Sequence, residues 1–304
     1  MLKEIRQIPE VALKCYQENR LCRLPLGVPY LGIGSSYFAS LTLKYCDVPI
    51  QPEPASEYID YLTTWKTGQE AVLISQSGRS SELLWCADAL DRVSVITNDL
   101  QSTLAMHPHV SKVIPMAAGE EKYSSSKTYI ATLIALYLGL GFDPMPAIGQ
   151  LVKEMNQYEN TGKGWAQMIH ESYVSGKWKG AYILGNGPNL GTAMQAALVL
   201  TESSGIPFQA MSLAQFDHGP KESVPGALVF IISTGSACEK RRAALVPLLQ
   251  AAGGHIVIYD VPYIAEHLSP LTAIMPFFFA CHYLAVKMNR KNPFVIGGKI
   301  TETN

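Results

Sequence analysis

Charge is what this sequence has least of. Only 16% of its 304 residues are Asp, Glu, Lys or Arg, against ~25% in an average soluble protein. The 24 basic and 25 acidic residues leave a formal charge of −1, and the longest basic run is the three residues Lys240 to Arg242. No phosphate backbone would be drawn strongly to such a chain, so nucleic-acid binding is not expected. The six cysteines, Cys15, Cys22, Cys46, Cys86, Cys238 and Cys281, form no CxxC pair and read as reduced core residues. The seven histidines show no HxxxH or ExxH pattern with accompanying cysteines, which leaves metal binding without support. The HPH at His107 to His109 reads as a surface turn. No GxSxG elbow is present, so nucleophilic hydrolysis is unsupported as well. The most apolar windows, Tyr129 to Phe142 and Leu271 to Val286, fall short of the ~18 to 20 residues that a membrane span needs. The charged N-terminus, MLKEIRQIPE, does not resemble a secretory signal, and a cytoplasmic location is expected.

With 48% hydrophobic residues and so little charge, the chain has apolar surface to bury beyond its cores, which predicts an oligomer. Its length suits about two domains of ~150 residues each. Short apolar runs rich in β-branched residues alternate with longer helical patterns. PYLGIG, AVLISQ, VSVIT and KVIPM lie in the first half; AYILGN, ALVFIIS and HIVIYD lie in the second. The alternation implies parallel sheets with helical crossovers. Helices are expected near 36–45, 80–90, 124–140, 190–204, 237–252 and 269–287.

The halves look like copies of one another. Gly32 and Gly34 of GIGSS correspond to Gly185 and Gly187 of GNGPN, and Ser75, Ser77 and Gly78 of LISQSG to Ser233, Gly235 and Ser236 of IISTGS. An internal duplication explains both. Gly141 to Gln150, with Pro144 and Pro146, reads as a connector, followed by a linking helix near 151–178.

Ligands of open parallel sheets sit beyond the carboxyl ends of the strands. There, Ser35 and Ser36 follow PYLGIG, while Ser75, Gln76, Ser77, Gly78, Arg79 and Ser80 follow AVLI and lead into a helix. Small hydroxyls, a glycine allowing close approach and amides at a helix N-terminus suit a dianionic phosphate. A third cluster, Ser124 to Ser126 with Lys127, opens the next helix; plain N-capping by serine is the alternative there. A dinucleotide reading of GIGSSY, with Glu53 as the ribose acid, meets two obstacles. Tyr37 stands where a third glycine is wanted, and Pro49, Pro52 and Pro54 crowd the strand that would carry the acid. In the second half, Glu202 ends an apolar helical run against the helix dipole, with no i,i+4 cation in evidence. His218 lies in the tight turn of AQFDHGP, where the neighbouring Asp217 would favour its imidazolium.

These motifs together resemble the sugar isomerase (SIS) domain family, specifically the tandem isomerase half of glucosamine-6-phosphate synthase and its free-standing relatives. The relatives include glucosamine-6-phosphate deaminases and fructosamine-6-phosphate deglycases. The likeness runs from MLKEIRQIP through GSS, SQSGRS and YSSSKTY to ESSGIPFQA, DHGP and GGKITETN, and the Glu202 to His218 interval matches the family's. It implies an α/β fold of two three-layer α/β/α domains with parallel sheets, flavodoxin-like and related by internal duplication. One would cover 1–148 with an opening helix; the other, 149–304, would hold the linking helix, the second SIS domain and a C-terminal tail.

By this resemblance Ser35, Ser36, Ser75, Gln76, Ser77 and Ser80 bind a sugar phosphate, with Tyr123 and Ser125 near the sugar. Glu202 is the general base, His218 opens the sugar ring from the neighbouring subunit of a homodimer, and Lys299 reaches the site from the tail, as a Schiff base or as an electrostatic group. No metal or organic cofactor is implied. Neither a glutaminase domain nor a cysteine after Met1 precedes the opening helix, so no ammonia from glutamine is expected. The implied activity is C1/C2 proton transfer on an amino sugar or ketosamine 6-phosphate, of the glucosamine-6-phosphate deaminase type. A fructosamine-6-phosphate deglycase and a non-catalytic sugar-phosphate sensor are the alternatives. Three positions depart from the synthase pattern: Arg79 stands for an acid, Asp217 for a lysine and Gln195 for a carboxylate.

Overall fold

The computed structural model describes residues 1–62, 70–176, 178–235, 238–292 and 296. The chain divides into two compact units, one of Arg6–Ile148 and one joining Met1–Ile5 to the segment that begins at Gly149. The first unit holds the five strands β1 (Pro29–Gly32), β2 (Gln51–Pro54), β3 (Glu70–Ser75), β4 (Arg92–Thr97) and β5 (Val110–Pro115), all parallel in the order β2-β1-β3-β4-β5. The chain passes from one unit to the other at Arg6, the last residue of α1 (Leu2–Arg6), just before α2 (Ile8–Asn19).

Alternation along these strands builds two apolar faces. Leu31, Leu73, Val93 and Val95 pack with Leu83, Cys86 and Ala87 of α5 (Ser81–Ala89) and with Ala55 of α4 (Ala55–Glu57). Helices α3 (Ser35–Lys44) and α6 (Lys127–Gly139) lie together with α2, and every residue of α6 is buried. The result is the three-layer sandwich that the alternating pattern predicts. One strand of this sheet was not expected from the sequence, β2. Its two prolines, Pro52 and Pro54, are tolerated because it is an edge strand with a single neighbour.

The second unit repeats the arrangement with four parallel strands, β6 (Ala181–Leu184), β7 (Gln209–Met211), β8 (Leu228–Ser233) and β9 (His255–Asp260), in the order β7-β6-β8-β9. In both sheets the strand order reverses between the first and third strands, which agrees with an internal duplication. Helix α7 (Met145–Val174) begins inside the expected connector, because Pro146 is tolerated in a first helical turn. Its Trp165 packs on Phe230 of β8 and Tyr259 of β9, with ring centroids 5.1 Å apart in both pairs, and on Phe277 at 4.8 Å.

Helices α8 (Asn189–Ser204), α9 (Leu213–Asp217), α10 (Glu239–Ala251), α11 (Pro270–Ala273) and α12 (Met275–Lys287) complete the unit. Together α11 and α12 span 18 residues, enough by length and composition to cross a membrane, but 72% of that stretch is buried inside the fold. It is a core element packed against α8. Four of the six cysteines are buried, as expected of core residues; Cys46 and Cys238 are half-buried.

Candidate functional site

The switch point of the first sheet lies between β1 and β3, whose carboxyl ends lead into α3 and α5. Crevices of this kind hold ligands in open α/β sheets. Close packing shapes the first turn: a Cβ on Gly32 would lie 2.8 Å from the backbone of Ser36 and Tyr37. Gly34 precedes α3 with φ +55°, a positive-φ conformation that suits glycine. The N-cap Gly34 places no side chain on the first amides of α3, and the hydroxyls of Ser35 and Ser36 open that helix half-buried.

The second turn is held by its own serines and by the loop after β4. Ser75 Oγ accepts from the Gly78 N–H at 3.0 Å and lies 3.4 Å from Ser80 Oγ; Ser77 Oγ accepts from the Arg79 N–H at 3.3 Å. The Gln76 carbonyl accepts from the Asn98 N–H at 3.1 Å, and the Gly78 carbonyl from the Leu104 N–H at 3.0 Å. Ser80 is the N-cap of α5 but makes no side-chain cap bond. Two neighbouring helix N-termini thus present amides and hydroxyls with no carboxylate from their own caps, an arrangement suited to a phosphate.

The third turn differs in what holds its helix start. Glu121 places its carboxylate over the start of α6. Its Oε1 accepts from the Ser126 N–H at 3.0 Å, Ser126 Oγ at 3.0 Å and the Lys127 N–H at 2.8 Å, while Oε2 accepts from Thr128 Oγ1. Burial outweighs these donors and raises the Glu121 carboxyl above its ordinary range. The anion position of α6 is therefore filled by the chain's own acid, and the helix begins at Lys127 instead of Ser124. Ser125 is half-buried with its hydroxyl 2.9 Å from Thr128 Oγ1, and Tyr123 is exposed on the same loop. Glu121 went unnoticed in the sequence because a carboxylate five residues before a helix carries no local capping signature.

In the second unit Glu202 lies half-buried in the last turn of α8. The dipole mismatch noted in the sequence is offset by a distant cation: Arg290 Nη1 donates to the Ser204 carbonyl at 2.8 Å. Gly205, with φ +72°, ends the helix so tightly that a Cβ there would meet Arg290. Beneath Glu202, Cys281 donates to the Val199 carbonyl at 3.0 Å, and its thiol is pushed up to about 12 by burial. Gln195 is fully buried on the same helix.

His218 is exposed at the end of α9. Asp217 is not its partner, contrary to expectation. That carboxylate accepts from Lys221 at 2.9 Å and Arg241 at 2.8 Å, and the Lys221 bond first, then Arg241, holds it below the usual range. Helix α8 descends from the carboxyl end of β6 for 16 residues, about 24 Å. Glu202 therefore lies towards the amino end of the sheet. α9 follows the carboxyl end of β7, where the Leu213 N–H donates to Asn186 Oδ1 at 3.1 Å. Lys299 lies outside the described residues. Among the described residues no group of three or more His, Cys, Asp or Glu could hold a metal ion.

No protein-family model matches the chain. It is similar to glutamine–fructose-6-phosphate aminotransferase (isomerizing) of Pyrobaculum aerophilum, 28% identical over 94% of this chain and 54% of the relative. It is also similar to the Arabidopsis thaliana aminotransferase, 23% identical over 85% of this chain and 44% of that one. The chain spans about half the length of these curated relatives. Among solved structures, glucosamine-6-phosphate deaminase from Thermotoga maritima superposes with a TM-score of 0.78 at 22% identity, covering 96% of this chain and 95% of its own. Tagatose-6-phosphate ketose/aldose isomerase from Escherichia coli gives 0.70 at 16% identity, covering 99% and 95%. The fold is that of two SIS domains.

Proposed function

We propose that this chain, which has the two-SIS-domain fold and is related to the isomerase half of glutamine–fructose-6-phosphate aminotransferases, is a phosphosugar isomerase acting on an amino sugar or ketosamine 6-phosphate. The observation that carries the reading is the pair of helix N-termini at the β1/β3 switch point. The hydroxyls of Ser35, Ser36, Ser75, Ser77 and Ser80 surround them, with Gln76 between. A phosphate bound there supplies binding energy remote from the reacting carbons, which positions them for chemistry.

Glu202 is the base in this proposal. Its carboxylate takes the proton from one of C1 and C2 of the open-chain sugar and returns it to the other through an enediol or enolamine. The imidazole of His218 opens the ring, donating a proton to the ring oxygen while the anomeric hydroxyl loses one. As the family resemblance implies, His218 comes from a second copy of the chain, and a homodimer is then the working unit. Lys299 either forms a Schiff base with a ketose or neutralises the developing oxyanion. Tyr123 and Ser125, on the Glu121 loop, contact the sugar.

A deaminase of the glucosamine-6-phosphate type is the preferred form. The test is a thermal-shift and turnover screen against glucosamine 6-phosphate, fructose 6-phosphate with ammonia, and fructosamine 6-phosphates carrying different amino acids. Ammonia release supports the deaminase, and amino acid release replaces it with a deglycase. Stabilisation by phosphosugars without turnover makes the chain a sensor, and no stabilisation by any of them refutes the proposal. Glu202→Gln is expected to keep phosphosugar binding and lose about 10²-fold or more in turnover.

A further inference from the structure

The loop after β5 follows a path that one of its residues resists. Ala117 adopts φ +55°, a left-handed conformation that disfavours any residue with a Cβ, so contacts outside the loop must hold it there. The Met116 N–H donates to the Thr97 carbonyl at 2.9 Å, which carries the β4/β5 pairing one residue further. Beyond that point a single side chain takes over, that of Asn98, the residue that follows β4.

Asn98 makes three hydrogen bonds in two directions. Its backbone N–H donates to the Gln76 carbonyl of the cradle at 3.1 Å. Its Oδ1 accepts from the Ala118 N–H at 2.9 Å, and its Nδ2 donates to the Gly119 carbonyl at 2.8 Å. These partners fix the orientation of the amide, since an N–H needs the oxygen and a carbonyl needs the nitrogen. β4 lies between β3 and β5, so Asn98 stands between the turn that carries Ser75, Gln76 and Ser77 and the loop that carries Tyr123 and Ser125. Glu121, two residues beyond Gly119, closes the rest of that loop onto the start of α6.

We propose that Asn98 is a positioning residue for the phosphosugar, fixing the loop that meets the sugar at a set distance from the cradle that holds the phosphate. The inference rests on the phosphosugar reading of this site. It deepens that reading: hydroxyls and amides at two helix ends hold a phosphate of any origin, whereas a second loop braced against them favours a phosphate that carries a sugar of matching length.

Two variants and two ligands test it. Asn98→Ala removes both side-chain bonds. Asn98→Asp keeps the size of the side chain and the acceptor for Ala118 but sets an oxygen against the Gly119 carbonyl. Neither touches the backbone bond to Gln76 or the serines of the cradle. Calorimetry with fructose 6-phosphate should show affinity falling about tenfold in both variants, while competition by inorganic phosphate stays within about twofold of wild type. A merely structural role would weaken the two ligands alike. Equal losses for both, or unaltered affinity for both, in either variant that folds overturns the inference and leaves the phosphosugar site standing. So does a wild type that binds fructose 6-phosphate no tighter than phosphate. A wild type that binds no phosphosugar overturns the inference and the phosphosugar reading together.

Discussion

Gly78→Ala probes the position on which the shape of the cradle depends. Gly78 adopts φ +64°, and an L-residue in the left-handed region costs ~1–2 kcal/mol. The added Cβ would lie 1.9 Å from Ser102 Oγ and 2.4 Å from Ser102 Cβ, so one loop must leave the other. Four hydrogen bonds depend on their contact. Gly78 N–H donates to Ser75 Oγ and its carbonyl accepts from Leu104; Ser102 Oγ donates to the Asp99 carbonyl and accepts from Ala105. Losing two of them at ~1 kcal/mol each, together with the strain, gives a destabilisation of about 3–4 kcal/mol. Urea denaturation at constant m would measure it. In a Ser102→Gly background the clash is gone, and Gly78→Ala should cost only the ~1–2 kcal/mol of backbone strain. A Gly78→Ala variant within ~1 kcal/mol of wild type would refute the claim that these two loops interlock.

Replacing Ser75 and Ser77 together with Ala should weaken every phosphosugar at least about tenfold by calorimetry; unaltered affinity would remove the cradle. Glu121→Gln should cost about 1–3 kcal/mol, since an amide nitrogen then faces donors of the α6 turn. The same variant has a pH signature. Because burial raises the Glu121 carboxyl, its contribution to stability is full below the ordinary carboxylate range and declines as pH rises through the raised value. Denaturation midpoints of wild type and Glu121→Gln, compared from acidic to neutral pH, should differ in that slope; parallel curves would show that Glu121 does not titrate as its burial requires.

The central strands were legible because a strand covered on both faces reads as a continuous apolar run, as in AVLIS and ALVFIIS. Two edge strands, β2 and β7, were not, although the edge strands β5 and β9 were. β2 carries two prolines and β7 is three residues long, so neither shows a run or an alternation long enough to register. Helix α6 was legible as a helix and misjudged at its start, since serines before a helix look alike whether they cap it or a remote acid does. Asp217 and His218 show the same limit, because adjacency in sequence suggested a pair that Lys221 and Arg241 took instead.

Local patterning thus determined the architecture on its own: strand and helix periodicities are properties of neighbouring residues, and parallel sheets with covering helices are what such an alternation packs into. It also marked the hydroxyl-rich turns, whose chemistry is written in adjacent residues. The tertiary structure alone decided which of those turns has its helix amides covered by an acid of the chain. The amides at a helix N-terminus donate to whichever oxygen comes within reach. Glu121 is brought to α6, while the caps of α3 and α5 bring none of their own. Which loop delivers an acceptor depends on chain segments meeting in space, and no periodicity encodes that.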